Sequence, residues 1–231
     1  MEPLTHTPWP VFQEGWAKDF RQGQHVTVIG PTDCGKTTLV TELIKPRGHV
    51  VLFGVKHVDE SMSKLQKQGW SRTQSWKDRP KTNRVLLWPK VPDLDKVENV
   101  QRAAFDYALK DIYKVGGWCC WWDELRYMAD HLGMRKRLTQ MYVTARSNKI
   151  SLVGNTQRPS WVPLEAYSQA GHLILFRTGD ERDLERIGSL NGQDSRFVSR
   201  TVSTLPHRHF LHVNLNNGEL HKSKLELPKG G

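Results

Sequence analysis

The chain has 231 residues and 26.6 kDa, enough for one well-cored α/β domain and a tight fit for two. It carries 34 Lys and Arg against 24 Asp and Glu, a net charge of +10, which suits a polyanionic partner such as nucleic acid or an anionic membrane surface. Three cysteines, two of them adjacent (Cys119, Cys120), exclude a disulfide framework and point to a reducing compartment. The N-terminus has no basic start followed by an apolar run. No stretch approaches the roughly 18–20 apolar residues of a membrane span. A soluble, cytoplasmic protein is expected.

Residues 1–24 read as a lead-in with a short helix around Phe12–Phe20. His25–Ile29 (HVTVI) is a β-branched strand running into a glycine turn, and Thr37–Ile44 is the helix after it, stopped by Pro46-Arg47-Gly48. Val50–Val55 and Val85–Trp88 are further buried strands. Asp95–Tyr113 has apolar residues at helical spacing, with Asp95 and Glu98 placed as a capping box. Trp118–Trp122 is apolar at every position, the pattern of a strand buried on both faces. A helix over Arg135–Arg146, strands over Ile150–Gly154 and His172–Phe176, and a hairpin (Phe210–Leu215, Asn216-Asn217-Gly218, Glu219–Leu225) complete the chain. Strands alternating with helices predict a mainly parallel sheet flanked by helices. The domain expectation is a lead-in over 1–24, a nucleotide-binding domain over 25–205, and a hairpin and tail over 206–231.

Gly30-Pro31-Thr32-Asp33-Cys34-Gly35-Lys36-Thr37 matches GxxxxGK[ST] at every fixed position, after a strand and before a helix. Backbone N–H groups of such a loop, together with the helix N-terminus, wrap phosphates. Lys36 is expected on the β- and γ-phosphates and Thr37 on Mg²⁺, with Thr38 completing the ATP-binding set. The strand Trp118–Trp122 ends in Asp123-Glu124. The first carboxylate is suited to Mg²⁺ and the second to polarising the attacking water. Another buried strand ends in Asn155-Thr156-Gln157, and a polar group there can sense the γ-phosphate or orient water. Gln157 is the first choice and Thr156 the second.

In this order, Gly23-Gln24-His25-Val26, the phosphate loop, the Asp-Glu strand end and Thr156-Gln157-Arg158-Pro159 resemble the HerA/FtsK superfamily of additional-strand, RecA-like P-loop ATPases. The resemblance covers roughly residues 23–178, and the Thr-Gln-Arg-Pro stretch is its most distinctive part. It departs at Asp33-Cys34, where the family often has small residues. It implies a ring-forming motor, usually hexameric, that hydrolyses ATP and translocates double-stranded DNA. The near-minimal core is closest in size to the viral genome-packaging members, which implies a capsid portal or vertex as a partner and a host-cytoplasmic or virion-associated location. Ring ATPases often complete each site with a neighbour's arginine. Arg146 is the leading candidate, with Arg177 and Arg158 behind it.

Two basic stretches are open to DNA. Lys56–Arg84 has eight Lys and Arg against three Asp and Glu, and carries Trp70 and Trp76. Gly133–Lys149 has five and no acid, including the run Arg135-Lys136-Arg137, which is the preferred DNA contact. Trp118, Trp121 and Trp122 read as core, and the ten histidines form no recognised metal spacing. Two other functions fit a phosphate loop: a nucleotide-switched DNA-binding or assembly protein, and a small P-loop kinase.

Overall fold

The computed structural model describes residues 4–189 and 195–226. Parts of the expected lead-in (1–3), nucleotide-binding domain (190–194) and tail (227–231) lie outside the described residues. In chain order the elements are β1 (Thr5–His6), α1 (Trp9–Asp19), β2 (His25–Ile29), α2 (Lys36–Leu43), β3 (His49–Phe53), α3 (Glu60–Lys67), β4 (Ser71–Thr73), β5 (Arg84–Leu87), α4 (Leu94–Val115), β6 (Trp118–Trp122), α5 (Arg135–Thr144), β7 (Ser151–Thr156), α6 (Glu165–Ser168), β8 (His172–Phe176), α7 (Glu181–Gly188), α8 (Ser195–Ser203), β9 (His209–Asn214) and β10 (Leu220–Lys224).

Among the described residues one ten-stranded sheet runs β1-β10-β9-β8-β2-β7-β6-β3-β5-β4. Pairing is parallel from β8 through β4 and antiparallel only at β8–β9 and β9–β10. β7 lies between β2, which leads into the phosphate loop, and β6, which ends in the two carboxylates; this is the additional-strand arrangement. The C-terminal hairpin extends the same sheet beside β8, and β1 pairs in parallel with β10, so both the lead-in and the hairpin join the main sheet.

The apolar strands divide their side chains between two cores, as alternation requires. On β6, Trp118, Cys120 and Trp122 enter one core with Val51, Phe53, Phe105, Leu109, Leu138 and Tyr142. Cys119 and Trp121 enter the other with Val26, Val28, Leu39, Val50 and Leu52. Each fully buried large apolar side chain contributes on the order of 1.5–3 kcal/mol, so this strand is a rigid mount for the acids that follow it.

Several boundaries differ from the sequence expectation, each for a local reason. α1 starts at Trp9, earlier than expected, because Pro10 is tolerated in a helix's first turn. α4 is capped by Asp93, whose side chain accepts from the Asp95 N–H, so Asp95 lies inside the helix and forms no capping box. α5 ends at Thr144 and tightens into a 3₁₀ turn over Ala145–Asn148. β7 runs on to Thr156, because its polar end residues pair with β2.

Candidate active site

The phosphate loop spans the carboxyl end of β2 and the start of α2. Gly35 caps α2 at φ 103°, a conformation that favours glycine, and a Cβ there would meet Leu225 Cδ2 at 2.9 Å. A Cβ on Gly30 would come within 2.6 Å of Phe176 Cβ and 2.8 Å of Cys34 Sγ, so Gly30 is required by close packing and Gly35 by its backbone conformation. Asp33 takes φ 59°, which aspartate tolerates, and its side chain is exposed, which answers the oddity of an acid in this loop. Cys34 is buried beneath the loop, where burial raises its thiol pKa. The Lys36 ammonium donates to the carbonyls of Gly30 (2.8 Å) and Pro31 (2.6 Å). Burial lowers its pKa, against the pull of Asp123 and Glu124.

Asp123 and Glu124 leave β6 beside this loop. Thr37 Oγ1 donates to Asp123 Oδ1 at 3.2 Å, and Asn155 Nδ2 donates to the same oxygen at 3.3 Å. Burial raises Asp123 above the usual carboxylate range, opposed by the Lys56 charge. Gln157 bridges the two halves of the site: its Nε2 donates to Glu124 Oε2 (3.2 Å), and its Oε1 accepts from Thr32 Oγ1 (3.1 Å). Burial, then the Asp123 charge, raise Glu124, while Gln157, Lys36 and Lys56 pull it back. Thr156 is fully buried with its hydroxyl on the backbone of Arg158, so geometry favours Gln157 for the sensing position.

A cavity of about 410 Å³ joins these groups and falls in the size range of ligand pockets. Thr32, Asp33, Gly35, Lys36, Thr37, Thr38, Asp123, Glu124 and Gln157 line it, together with four cations or apolar groups not singled out for nucleotide contact in the sequence: Lys56, Lys64, Arg208 and Leu225. Lys56 follows β3, pairs with Asp59 at 3.1 Å, and is drawn upward in pKa by Asp59, Asp123 and Glu124 against its burial. No local motif announces it; only the adjacency of β3 and β6 brings it here. Asn155 was visible in the strand end, but its grip on Asp123 depends on β7 continuing past Gly154.

The donor set fits Mg²⁺, a hard cation held through oxygen by one or two protein groups, waters and phosphates. The Thr37 hydroxyl and the Asp123 carboxylate supply such oxygens side by side. Among the described residues no cluster of three or more His, Cys, Asp or Glu forms a cation cage.

Other predicted residues lie away from this cavity. Arg146 is exposed in the 3₁₀ turn at the amino edge of the sheet, its carbonyl against Gly23. A five-residue strand, about 17 Å, separates that edge from the phosphate loop, so Arg146 does not reach its own chain's site. Arg177 is exposed directly after β8, at the carboxyl edge. Arg158 is held by Asp180 (2.9 Å) and Asp183 (3.2 Å). In the basic run, Arg135 pairs with Asp130 (2.6 Å) and Arg137 with Asp106 (2.8 Å). Lys136 and Arg137 line a groove of about 640 Å³ with Arg102. In the other basic stretch Trp70 and Trp76 are buried, Arg72 stacks over Trp88 at 4.3 Å, and Arg84 donates to four backbone carbonyls; these cations brace the fold.

Beyond Glu124 a smaller cavity, about 230 Å³, is lined by Arg126, Tyr127, His131, Gln157 and Arg158. At its edge the Arg126 guanidinium lies 3.6 Å over the ring of Trp161. Trp161 is 47% exposed, whereas the other eight tryptophans are all buried.

Comparison with known proteins agrees with this geometry. No family model matches the chain. It is 26% identical over 218 residues to the DNA packaging ATPase P9 of Enterobacteria phage PRD1, covering 84% of each chain. Its fold matches the genome packaging NTPase B204 of Sulfolobus turreted icosahedral virus 2 with a TM-score of 0.64, at 18% identity over 88% of this chain and 97% of that one. That protein has also been solved with AMPPCP. VirB4 of Thermoanaerobacter pseudethanolicus superposes with a TM-score of 0.68 at 10% identity, over 89% of this chain and 90% of that one. With the phosphate loop, the paired acids and the bridging glutamine assembled on an additional-strand sheet, the chain has the fold of these P-loop ATPases and is similar in sequence to a DNA packaging ATPase.

Proposed function

We propose that the protein is an ATP-driven motor that moves double-stranded DNA during viral genome packaging. The observation that carries this reading is the convergence of Lys36, Thr37, Asp123, Glu124 and Gln157 on one cavity. The similarity to a packaging ATPase over most of both chains supports the packaging role. The working assembly is a homo-oligomeric ring, most simply a hexamer, seated at a capsid portal or vertex in the host cytoplasm or on the virion. No helix among the described residues is long and apolar enough to cross a membrane.

The chemistry follows from the side chains. Lys36 exchanges the loop carbonyls for the β- and γ-phosphate oxygens of ATP. Thr37 and Asp123 would hold Mg²⁺, which supplies neutralisation of phosphate charge. Glu124 accepts a proton from water as its oxygen bonds to the γ-phosphorus and the bond to the β-bridging oxygen breaks, leaving ADP and phosphate. A carboxylate raised by burial is a stronger base than one in water, and Gln157 fixes its orientation.

Two measurements test the reading. Glu124→Gln should keep ATP binding and lose turnover by about 10²–10⁴-fold. Directional, ATP-dependent displacement of a triplex-forming strand from duplex DNA should accompany wild-type hydrolysis. Turnover at the wild-type rate in Glu124→Gln would remove Glu124 as the base, and hydrolysis without displacement would point to a switch.

A further inference from the structure

The cavity has two flanks. β6, β7 and β3 bring Asp123, Glu124, Gln157 and Lys56 to one, with Asp59, which caps α3, and Glu60 and Lys64 of α3 beyond them. The γ-phosphate end of a bound triphosphate belongs there, beside the hydrolytic acid. The other flank is built by the C-terminal hairpin. Because β9 runs antiparallel to β8, with Phe210 opposite Phe176, its beginning lies at the carboxyl edge of the sheet. β10 runs back again, with Lys224 opposite His209, so its end lies there too. Arg208 immediately precedes β9 and Leu225 immediately follows β10; the Leu225 N–H donates to the Arg208 carbonyl at 2.9 Å. The hairpin thus carries both residues to the phosphate loop.

Their chemistry differs from the rest of the lining. Leu225 is the sole apolar side chain among the residues that line the cavity; it is 2% exposed and packs directly over Gly35. Arg208 is exposed, and its backbone is held at φ 59°, a left-handed conformation uncommon for a residue with a side chain. An apolar wall beside a planar cation is suited to the flat face of a nucleobase, since guanidinium groups stack on aromatic rings.

We infer that Arg208 and Leu225 form the nucleoside subsite, Leu225 packing under the base and sugar and Arg208 stacking on the base. The inference rests on reading the cavity as an ATP site and adds how the nucleoside end is held.

Titration calorimetry with a non-hydrolysable ATP analogue and with inorganic tripolyphosphate separates the two claims, because tripolyphosphate fills the phosphate loop and lacks a nucleoside. Arg208→Gly removes the side chain and suits the positive φ, so it leaves the hairpin unstrained. It should weaken the analogue about three- to tenfold and leave tripolyphosphate within about twofold. Arg208→Lys keeps the charge but not the planar group, and should stay weak for the analogue. Leu225→Ala should show the same selective loss. Equal weakening of both ligands would make Arg208 a phosphate contact and overturn the subsite. So would full rescue by lysine, or unchanged affinity in Arg208→Gly. Wild-type protein that binds neither ligand would overturn the ATP reading, and the inference with it.

Discussion

His25 opens β2, the strand that carries the phosphate loop, and its protonation state is built into the sheet. The ring is 1% exposed, and its Nδ1 accepts the Leu152 N–H of β7 at 3.2 Å. A ring nitrogen that accepts cannot carry a proton, so the native tautomer holds its single hydrogen on Nε2, which is buried without a partner. Burial lowers the His25 pKa from 6.5 to about 4. As pH falls below 6.5 the unfolded chain takes up a proton that the folded chain refuses, so stability is present above that pH and is lost on acidification. At about 1.36 kcal/mol per pKa unit, going from pH 7.5 to 5.0 should cost about 2 kcal/mol through this one ring. His25→Asn keeps an acceptor near Nδ1 and cannot titrate. Urea unfolding at both pH values should show the wild type losing about 2 kcal/mol more than the variant. Equal losses would mean that His25 is protonated in the folded protein and that the β2–β7 contact does not depend on its neutral form.

Gln157→Ala removes a hydrogen bond that holds the Glu124 pKa down, so the acid limb of kcat should move to higher pH, and the rate at neutral pH should fall about tenfold or more; an unmoved limb would separate Gln157 from Glu124. Arg146 lies remote from its own phosphate loop, and we propose that it completes a neighbour's site. Arg146→Ala should therefore be nearly inactive yet bind ATP, and mixing it with Lys36→Ala should restore part of the ATPase rate; co-assembly without recovery would turn the same test to Arg177. On DNA, Lys136→Ala should lower the slope of log affinity against log salt by about 0.9, while Arg135 and Arg137, already paired with Asp130 and Asp106, should add little. A drop near three in the triple variant would show that those pairs open on DNA, and no change would move the contact to Lys56–Arg84.

That the phosphate loop and the paired acids meet at one sheet edge was legible in the sequence because the information is local. A phosphate loop needs glycines at fixed spacing between a strand and a helix, and an all-apolar strand that ends in two acids announces where they will sit. Gln157 could be picked from its strand end for the same reason. Lys56, Arg208 and Leu225 could not be, because their place depends on which strands become neighbours. Lys56 reaches the acids only because β3 lies beside β6, and Arg208 and Leu225 reach the loop only because two antiparallel turns reverse the chain twice. The basic stretches carry information of a different kind. Charge counting cannot tell which cations have partners in the fold: Arg72 stacks on a tryptophan ring, Arg84 donates to backbone carbonyls and Arg137 pairs with a carboxylate.

The contrast between Trp161 and its eight buried counterparts gives the protein a built-in optical probe. A collisional quencher in solution should reach the indole of Trp161 first, so the quenchable share of the intrinsic emission reports on the segment that follows Gln157. The stacked Arg126 guanidinium, 3.6 Å away, follows directly from the Glu124 end of β6. A rearrangement that moves these two strand ends relative to one another would shift one partner of that stack against the other, and the emission can register it without a label.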